Sequence, residues 1–257
     1  MDAIEWVAAE QQKVELLVAP VLASGTYPSA VTLVRAGAGG SGGLFYRLAG
    51  GYERALFDIV RTDAAARVVQ LVRDRLAPWR DGAPVENATI DRVRSVLVEI
   101  DDVPENQRDA LAADEGIEVA MRRSTTHCDL HVFNVLVSDD EDAMVIDFAA
   151  VAQGPASVDP VALELSIIFH PDARDVCGDW PSVEQAENWD DFDRYVDGCP
   201  APAFAEACRR WAFEVAAGDR EVFASLYAYA ARQLKFEDTR HEIAHALLSC
   251  ARRRLGA

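Results

Sequence analysis

Three side chains in this sequence are spaced for work on a phosphoryl group. Asp129 stands in Thr126-His127-Cys128-Asp129-Leu130-His131-Val132-Phe133-Asn134. Asn134 follows it five residues on, and Asp147 comes thirteen beyond that, in Val145-Ile146-Asp147-Phe148. Moving a phosphoryl group onto a hydroxyl needs a carboxylate to orient the hydroxyl and take its proton. It also needs an amide and a second carboxylate to hold Mg²⁺ against the nucleotide phosphates. The order H-x-D-x-x-x-x-N, strand, turn, strand, D-F supplies those groups. Two elements must position them: Asn134 leads into the apolar run Val135-Leu136-Val137, and Asp147 closes Val145-Ile146. The polar stretch Ser138-Asp139-Asp140-Glu141-Asp142 between them is a hairpin turn signal, so the pattern predicts a β-hairpin with Asn134 and Asp147 at its base.

These residues resemble the catalytic core of the protein-kinase-like superfamily. They sit closest to its aminoglycoside/choline-kinase-type phosphotransferase branch, whose signature reads H-G-D-x-x-x-x-N followed by I-D-F or I-D-W. They are also similar to the kinase-like domains of bacterial conflict and signalling systems. The resemblance implies that Asp129 is the catalytic base and that Asn134 and Asp147 bind Mg²⁺ and, through it, the nucleotide. It implies that His127 supports the loop, and that Asp159, in Val158-Asp159-Pro160, caps a C-lobe helix and braces the catalytic loop. The chain departs from the pattern at Cys128, where the branch usually has Gly, and at Ala149, where protein kinases have the Gly of D-F-G. The first exchange is small for small; the second is common among small-molecule kinases.

The implied fold is α+β and kinase-like, with a reduced β-containing N-lobe and a large helical C-lobe carrying the catalytic hairpin. The expected division is residues 1–50 as a partial N-lobe and hinge, and 51–257 as the C-lobe. Apolar Ile4, Val7, Ala8, Val14 and Leu17 predict a helix over 3–17, at the family's helix C. Ala30–Val34 and Leu44–Leu48 read as strands around the glycine-rich stretch 37–43, and Leu56-Phe57-Asp58-Ile59 opens the first C-lobe helix. Thr62 is positioned to cap a helix over 63–77, Thr89 a second running to Ile100, and Pro104 to start a third. Beyond the hairpin, helices are expected at roughly 159–169, 182–196, 201–217, 219–233 and 238–254.

Active members of the superfamily grip the nucleotide phosphates with a lysine on an N-lobe strand. Here Lys13 and Lys235 are the only lysines. The glycine-loop strands and their lysine would lie upstream of Met1, or on a partner chain. Gly37-Ala38-Gly39-Gly40-Ser41-Gly42 does fit G-x-G-x-x-G. A lone match is weak evidence, and the stretch serves equally as a hairpin connection. As a phosphate loop it would need Arg47 or Arg54 in the lysine's place.

Composition sets limits. Hydrophobic residues make up 50% and charged residues 26%, ordinary for a globular protein. A net charge of −18 argues against nucleic acid as partner and suits a neutral or cationic small molecule. The five cysteines form no C-x-x-C pair, which predicts free thiols in the cytoplasm. The acidic start Met1-Asp2-Ala3-Ile4-Glu5 predicts no signal peptide, and no apolar run predicts a membrane span.

Three rival constellations are present. His241-Glu242-Ile243-Ala244-His245 is a formal H-E-x-x-H, but Leu248 and Ala251 stand where its extended form needs Gly and His. Cys128 beside His127 invites a thiol nucleophile, although neighbours on an extended chain point apart. Glu184, Glu187, Asp190, Asp191, Asp193 and Asp197 would form either an acidic wall for a cationic acceptor or a solvated helix face. The leading expectation is ATP- (or GTP-) and Mg²⁺-dependent phosphoryl transfer to a hydroxyl of a small molecule. The alternative is a pseudokinase serving as a binding or scaffold module.

Overall fold

In the computed structural model, residues 12–28, 31–36, 41–46, 50–114 and 116–256 are described. The expected helix at 3–17 falls mostly outside them. Its end appears as a helical turn, Val14–Val18, with Val14 and Val18 buried. Strand β1 (Val31–Ala36) pairs antiparallel with β2 (Ser41–Tyr46), from Val31 opposite Tyr46 to Ala36 opposite Ser41. Ser41, Gly42 and Gly43 therefore belong to a strand, which shortens the glycine-rich connection to 37–40. That connection and Arg47 lie outside the described residues.

The hairpin forms where the apolar runs place it. Strand β6 (Val135–Val137) pairs with β7 (Ala143–Val145), and β3 (Arg54–Ala55) adds on the other side of β6. Its turn is closed by Ser138, whose amide donates to Asp142 O at 2.9 Å and whose Oγ accepts from Asp142 N at 3.0 Å. Asp142 ties this turn to the rest of the chain, accepting from the Tyr52 hydroxyl and from Arg75 on α2 (Asp63–Arg75). Helix α1 (Leu56–Ile59) precedes α2 as expected. Thr62 does stand at the N-cap of α2, but its hydroxyl donates to Ile59 O at 2.8 Å and leaves the helix amides alone.

A second sheet differs from expectation. β4 (Val85–Thr89) pairs with β5 (Glu118–Thr126), and β5 pairs with β8 (Ala152–Pro155). The helix after Thr89, α3, stops at Ser95 instead of reaching Ile100. The alternation that marks β5 is muted because Ser124 and Thr126 take buried positions alongside Val119 and Met121. Strands β5 and β8 approach closely beside Val96: a Cβ on Gly154 would lie 2.8 Å from Val96 Cγ1. The sheet matters for the site because β5 feeds directly into His127 and β8 follows the turn after Asp147, with Thr126 opposite Ala152.

The rest is helical. After α4 (Glu105–Ala112), which starts behind Pro104, come α5 (Val158–Phe169), α6 (Val183–Glu187), α7 (Phe192–Tyr195), α8 (Pro202–Val215), α9 (Asp219–Gln233) and α10 (His241–Leu255). The expected helix 182–196 is broken between α6 and α7. The break lets fully buried Trp189 send its indole N–H to Glu164 Oε1 at 2.9 Å. Glu164 in turn pairs with buried Arg209 at 2.7 Å, and the guanidinium lies 3.3 Å over the Trp189 ring. This satisfied ionic pair anchors α5 to α8, as a buried charge requires. No described helix is long and apolar enough to cross a membrane.

Candidate active site

The loop after β5 is shaped by one carboxylate. Asp159, in the first turn of α5, accepts from His127 N at 2.8 Å and from Cys128 N at 3.0 Å. To present both amides to one carboxylate, the chain turns left-handed at Cys128, with φ +63°. That conformation favours glycine, which is why the resembled signature has Gly there. Asp159 is buried, and burial pushes its carboxyl up against the opposing pull of His127 and the two amides. His127, also buried, shares a hydrogen bond between Nε2 and Ile146 O at 2.9 Å and packs on Phe148. One imidazole thus links the Asp129 loop to the end of the hairpin strand before Asp147.

Asn134 closes the loop. Its side-chain NH₂ donates to Asp129 O at 2.9 Å, and its backbone O accepts from Ile146 N at 3.0 Å. The loop and hairpin thereby bring Asn134 next to the residue preceding Asp147. Asp147 is left-handed too, at φ 61° and ψ 70°, and opens the short turn Phe148–Ala150. Ala149 is not among the positive-φ residues, so this turn has no need of the glycine found in D-F-G. Among the described residues the half-buried Asp147 carboxylate receives no hydrogen bond, and the Asn134 side-chain oxygen is likewise uncommitted. One carboxylate and one amide oxygen form a hard, oxygen-only donor pair. It fits Mg²⁺, which takes one or two protein carboxylates and fills its shell with water and phosphate.

Asp129 faces a cavity of about 590 Å³. Sequence reasoning missed its partner: Arg232, near the end of α9, donates from Nη2 to Asp129 Oδ1 at 2.6 Å and from Nη1 to Cys128 O at 3.1 Å. Burial pushes the Asp129 carboxyl up, but the Arg232 charge and hydrogen bond outweigh it and hold the group below its ordinary range. The only trace in sequence was an arginine in the last turn of a helix, 103 residues away. His131 and His170 meet with tilted rings, centroids 4.8 Å apart, on the cavity wall. Desolvation by burial depresses His131 to about 4.

The acids of this cavity, besides Asp129, are Glu237 and Asp238. The acidic stretch at 184–197 lies elsewhere. Glu184, Asp193 and Asp197 line a separate groove, Glu184 pairs with Arg194 at 2.8 Å, and Asp190 pairs with Arg253 at 3.0 Å. It is a solvated face and no wall of the site. His241, Glu242 and His245 share the start of α10, but no three His, Cys, Asp or Glu side chains gather for a metal among the described residues. The thiol reading fails as well: burial pushes Cys128 up to about 12, and its Sγ lies 3.0 Å from Thr126 Oγ1.

No protein of curated function matches the sequence. Among solved structures, the chain is similar to a glucosamine kinase in complex with glucosamine, ADP and inorganic phosphate. That match has 19% identity and a TM-score of 0.41, and covers 96% of this chain and 67% of the other. Glucosamine kinase in crystal form A gives 20% identity and a TM-score of 0.40, over 96% and 65% of the two chains. The chain thus spans about two thirds of the length of these kinases. The profile of the phosphotransferase enzyme family matches residues 53–188, more than half of the sequence, and takes in Asp129, Asn134, Asp147 and Asp159. This kinase-like α+β chain is a member of the phosphotransferase enzyme family.

Proposed function

We propose that the chain transfers the terminal phosphoryl group of ATP, or of GTP, to a hydroxyl of a small molecule bound in the cavity beside Asp129. The observation that carries this reading is the division of labour around one loop. Asp129 faces the cavity with Oδ1 held by Arg232, while Asn134 and Asp147, at the base of the hairpin, have side-chain oxygens uncommitted among the described residues. Asp129 Oδ2 accepts the hydrogen bond of the acceptor hydroxyl and takes its proton as the new O–P bond forms. The bond from the γ-phosphorus to its bridging oxygen breaks, and the nucleoside diphosphate leaves. Arg232 keeps the carboxylate ionised and stops it from rotating. Asn134 and Asp147 hold Mg²⁺ with the nucleotide, and the ion when bound neutralises phosphate charge.

His127 and Asp159 act through the loop: one fixes its distance from the hairpin, the other its left-handed turn. The cavity, lined by both aromatic residues (Phe169, Tyr229, Phe236) and acids (Glu237, Asp238), suits a hydroxylated molecule with some apolar surface. The five free cysteines suit a cytoplasmic protein. A second reading, a pseudokinase that binds without transferring, is favoured by the lack of any lysine between Lys13 and Lys235.

The test is ADP release from Mg²⁺·ATP across a panel of sugars, amino sugars and amino alcohols. An acceptor should raise turnover, and Asp129→Asn should lower it by roughly 10² or more. Turnover equal in Asp129→Asn would remove the proposed base. Nucleotide binding with no acceptor-stimulated turnover would favour the pseudokinase.

A further inference from the structure

One cation stands beside this site with no role in the account above. Lys13 precedes the helical turn Val14–Val18, and its Nζ donates to Ala149 O at 2.5 Å. Ala149 lies two residues past Asp147, in the turn Phe148–Ala150. The segment carrying Lys13 is firmly held there. Leu17 O accepts the Trp79 indole N–H at 2.9 Å, and Trp79 packs edge-on to Phe148 at 6.2 Å. Thr26 O accepts from Val145 N, in the strand leading to Asp147, at 2.8 Å.

An ammonium has three donors, and one is spent on Ala149. No carboxylate among the described residues pairs with Lys13, although its side chain is half-buried. Its charge reaches Cys128, the neighbour of Asp129, so it stands near both the loop and the Asp147 turn. Among the described residues its other two donors are uncommitted, and a polyphosphate, an anion of several oxygens, would take them up.

We infer that Lys13, held by Ala149 O, contacts the phosphates of a nucleotide bound at Asn134 and Asp147, in place of the lysine that the sequence does not offer on a strand. This rests on the nucleotide reading above. The helix expected over 3–17 gave Lys13 no part in the site; the contact with Ala149 brings it there.

Having only two lysines makes a direct test possible. The full chain is acetylated with an N-hydroxysuccinimide ester, and labelling of Lys13 and Lys235 is followed by peptide mass spectrometry with Mg²⁺·ADP, with adenosine, or with neither. Titrations of Mg²⁺·ADP against wild type, Lys13→Met and Lys13→Arg run beside it. The inference expects Mg²⁺·ADP to shield Lys13 while adenosine does not. It expects Kd to rise roughly tenfold or more in Lys13→Met and less in Lys13→Arg, the size of a charged hydrogen bond. Wild-type binding with Lys13 labelled equally in all three states would overturn this inference and spare the nucleotide reading, as would equal shielding by adenosine. A wild type that binds no nucleotide would overturn both. The labelling arm uses unaltered protein, so it decides the matter even if Lys13→Met fails to fold.

Discussion

Asp129 and Arg232 show how much of the site is decided by a single contact. The aspartate was legible from H-x-D-x-x-x-x-N, because that spacing belongs to one local loop. The arginine was not, because a contact across 103 residues leaves no local pattern. Cys128 was legible as a departure from the signature but not as a left-handed residue; only the double hydrogen bond to Asp159 shows why glycine is usual there. Arg232 gives a residue-scale prediction. Arg232→Met should leave Mg²⁺·nucleotide binding within about twofold of wild type, since Asn134 and Asp147 are untouched, and should lower acceptor-dependent kcat by roughly 10-fold or more through loss of a charged hydrogen bond. Arg232→Lys should fall between the two. Steady-state kinetics beside a nucleotide titration separates the effects; an unchanged kcat would deny Arg232 its positioning role.

Among the elements, the β6–β7 hairpin was readable because both strands are short apolar runs around a polar turn, and α5, α8, α9 and α10 because their apolar periodicity is long. The β4–β5–β8 sheet was obscured by buried Ser124 and Thr126, and the break between α6 and α7 by a demand from Trp189 that only tertiary packing creates. The hairpin itself is tied down at Asp142, which joins its turn to Tyr52 and Arg75. Partial burial pushes the Asp142 carboxyl up, but the Tyr52 hydroxyl and Arg75 together hold it below its ordinary value. A carboxylate depressed in the folded state stabilises above its unfolded pKa, and that contribution is lost as pH falls through the folded one. Asp142→Asn should therefore be less stable than wild type at pH 7, by less than about 1 kcal/mol for so exposed a group, and the two should converge below the ordinary aspartate range. Urea unfolding at pH 7 and near pH 3 measures this; a gap that widens in acid would contradict it.

At the scale of the whole molecule, helical packing after residue 150 supports a loop and hairpin that together make one compact chemical unit. The family resemblance was legible because motif residues Asp129 to Asp159 lie within 31 positions of one another, inside the region 53–188 that the family profile matches. Before residue 50 the two strands were legible in outline, with their limits shifted by one to three residues, but the contact of Lys13 with Ala149 was not, because a tertiary contact leaves no local pattern. A net charge of −18 makes a free, highly anionic nucleotide an unfavourable guest unless local cations and Mg²⁺ offset the field. Metal-dependent nucleotide binding is therefore the central claim. Its most direct test is a thermal-shift titration with ATP and GTP, with and without Mg²⁺, on wild type and Asp147→Asn. The account predicts a Mg²⁺-dependent rise in Tm for wild type, equivalent to about 2.7 kcal/mol at a hundredfold excess over Kd, absent in a folded Asp147→Asn. No nucleotide shift in wild type, or an equal shift in the variant, would contradict it.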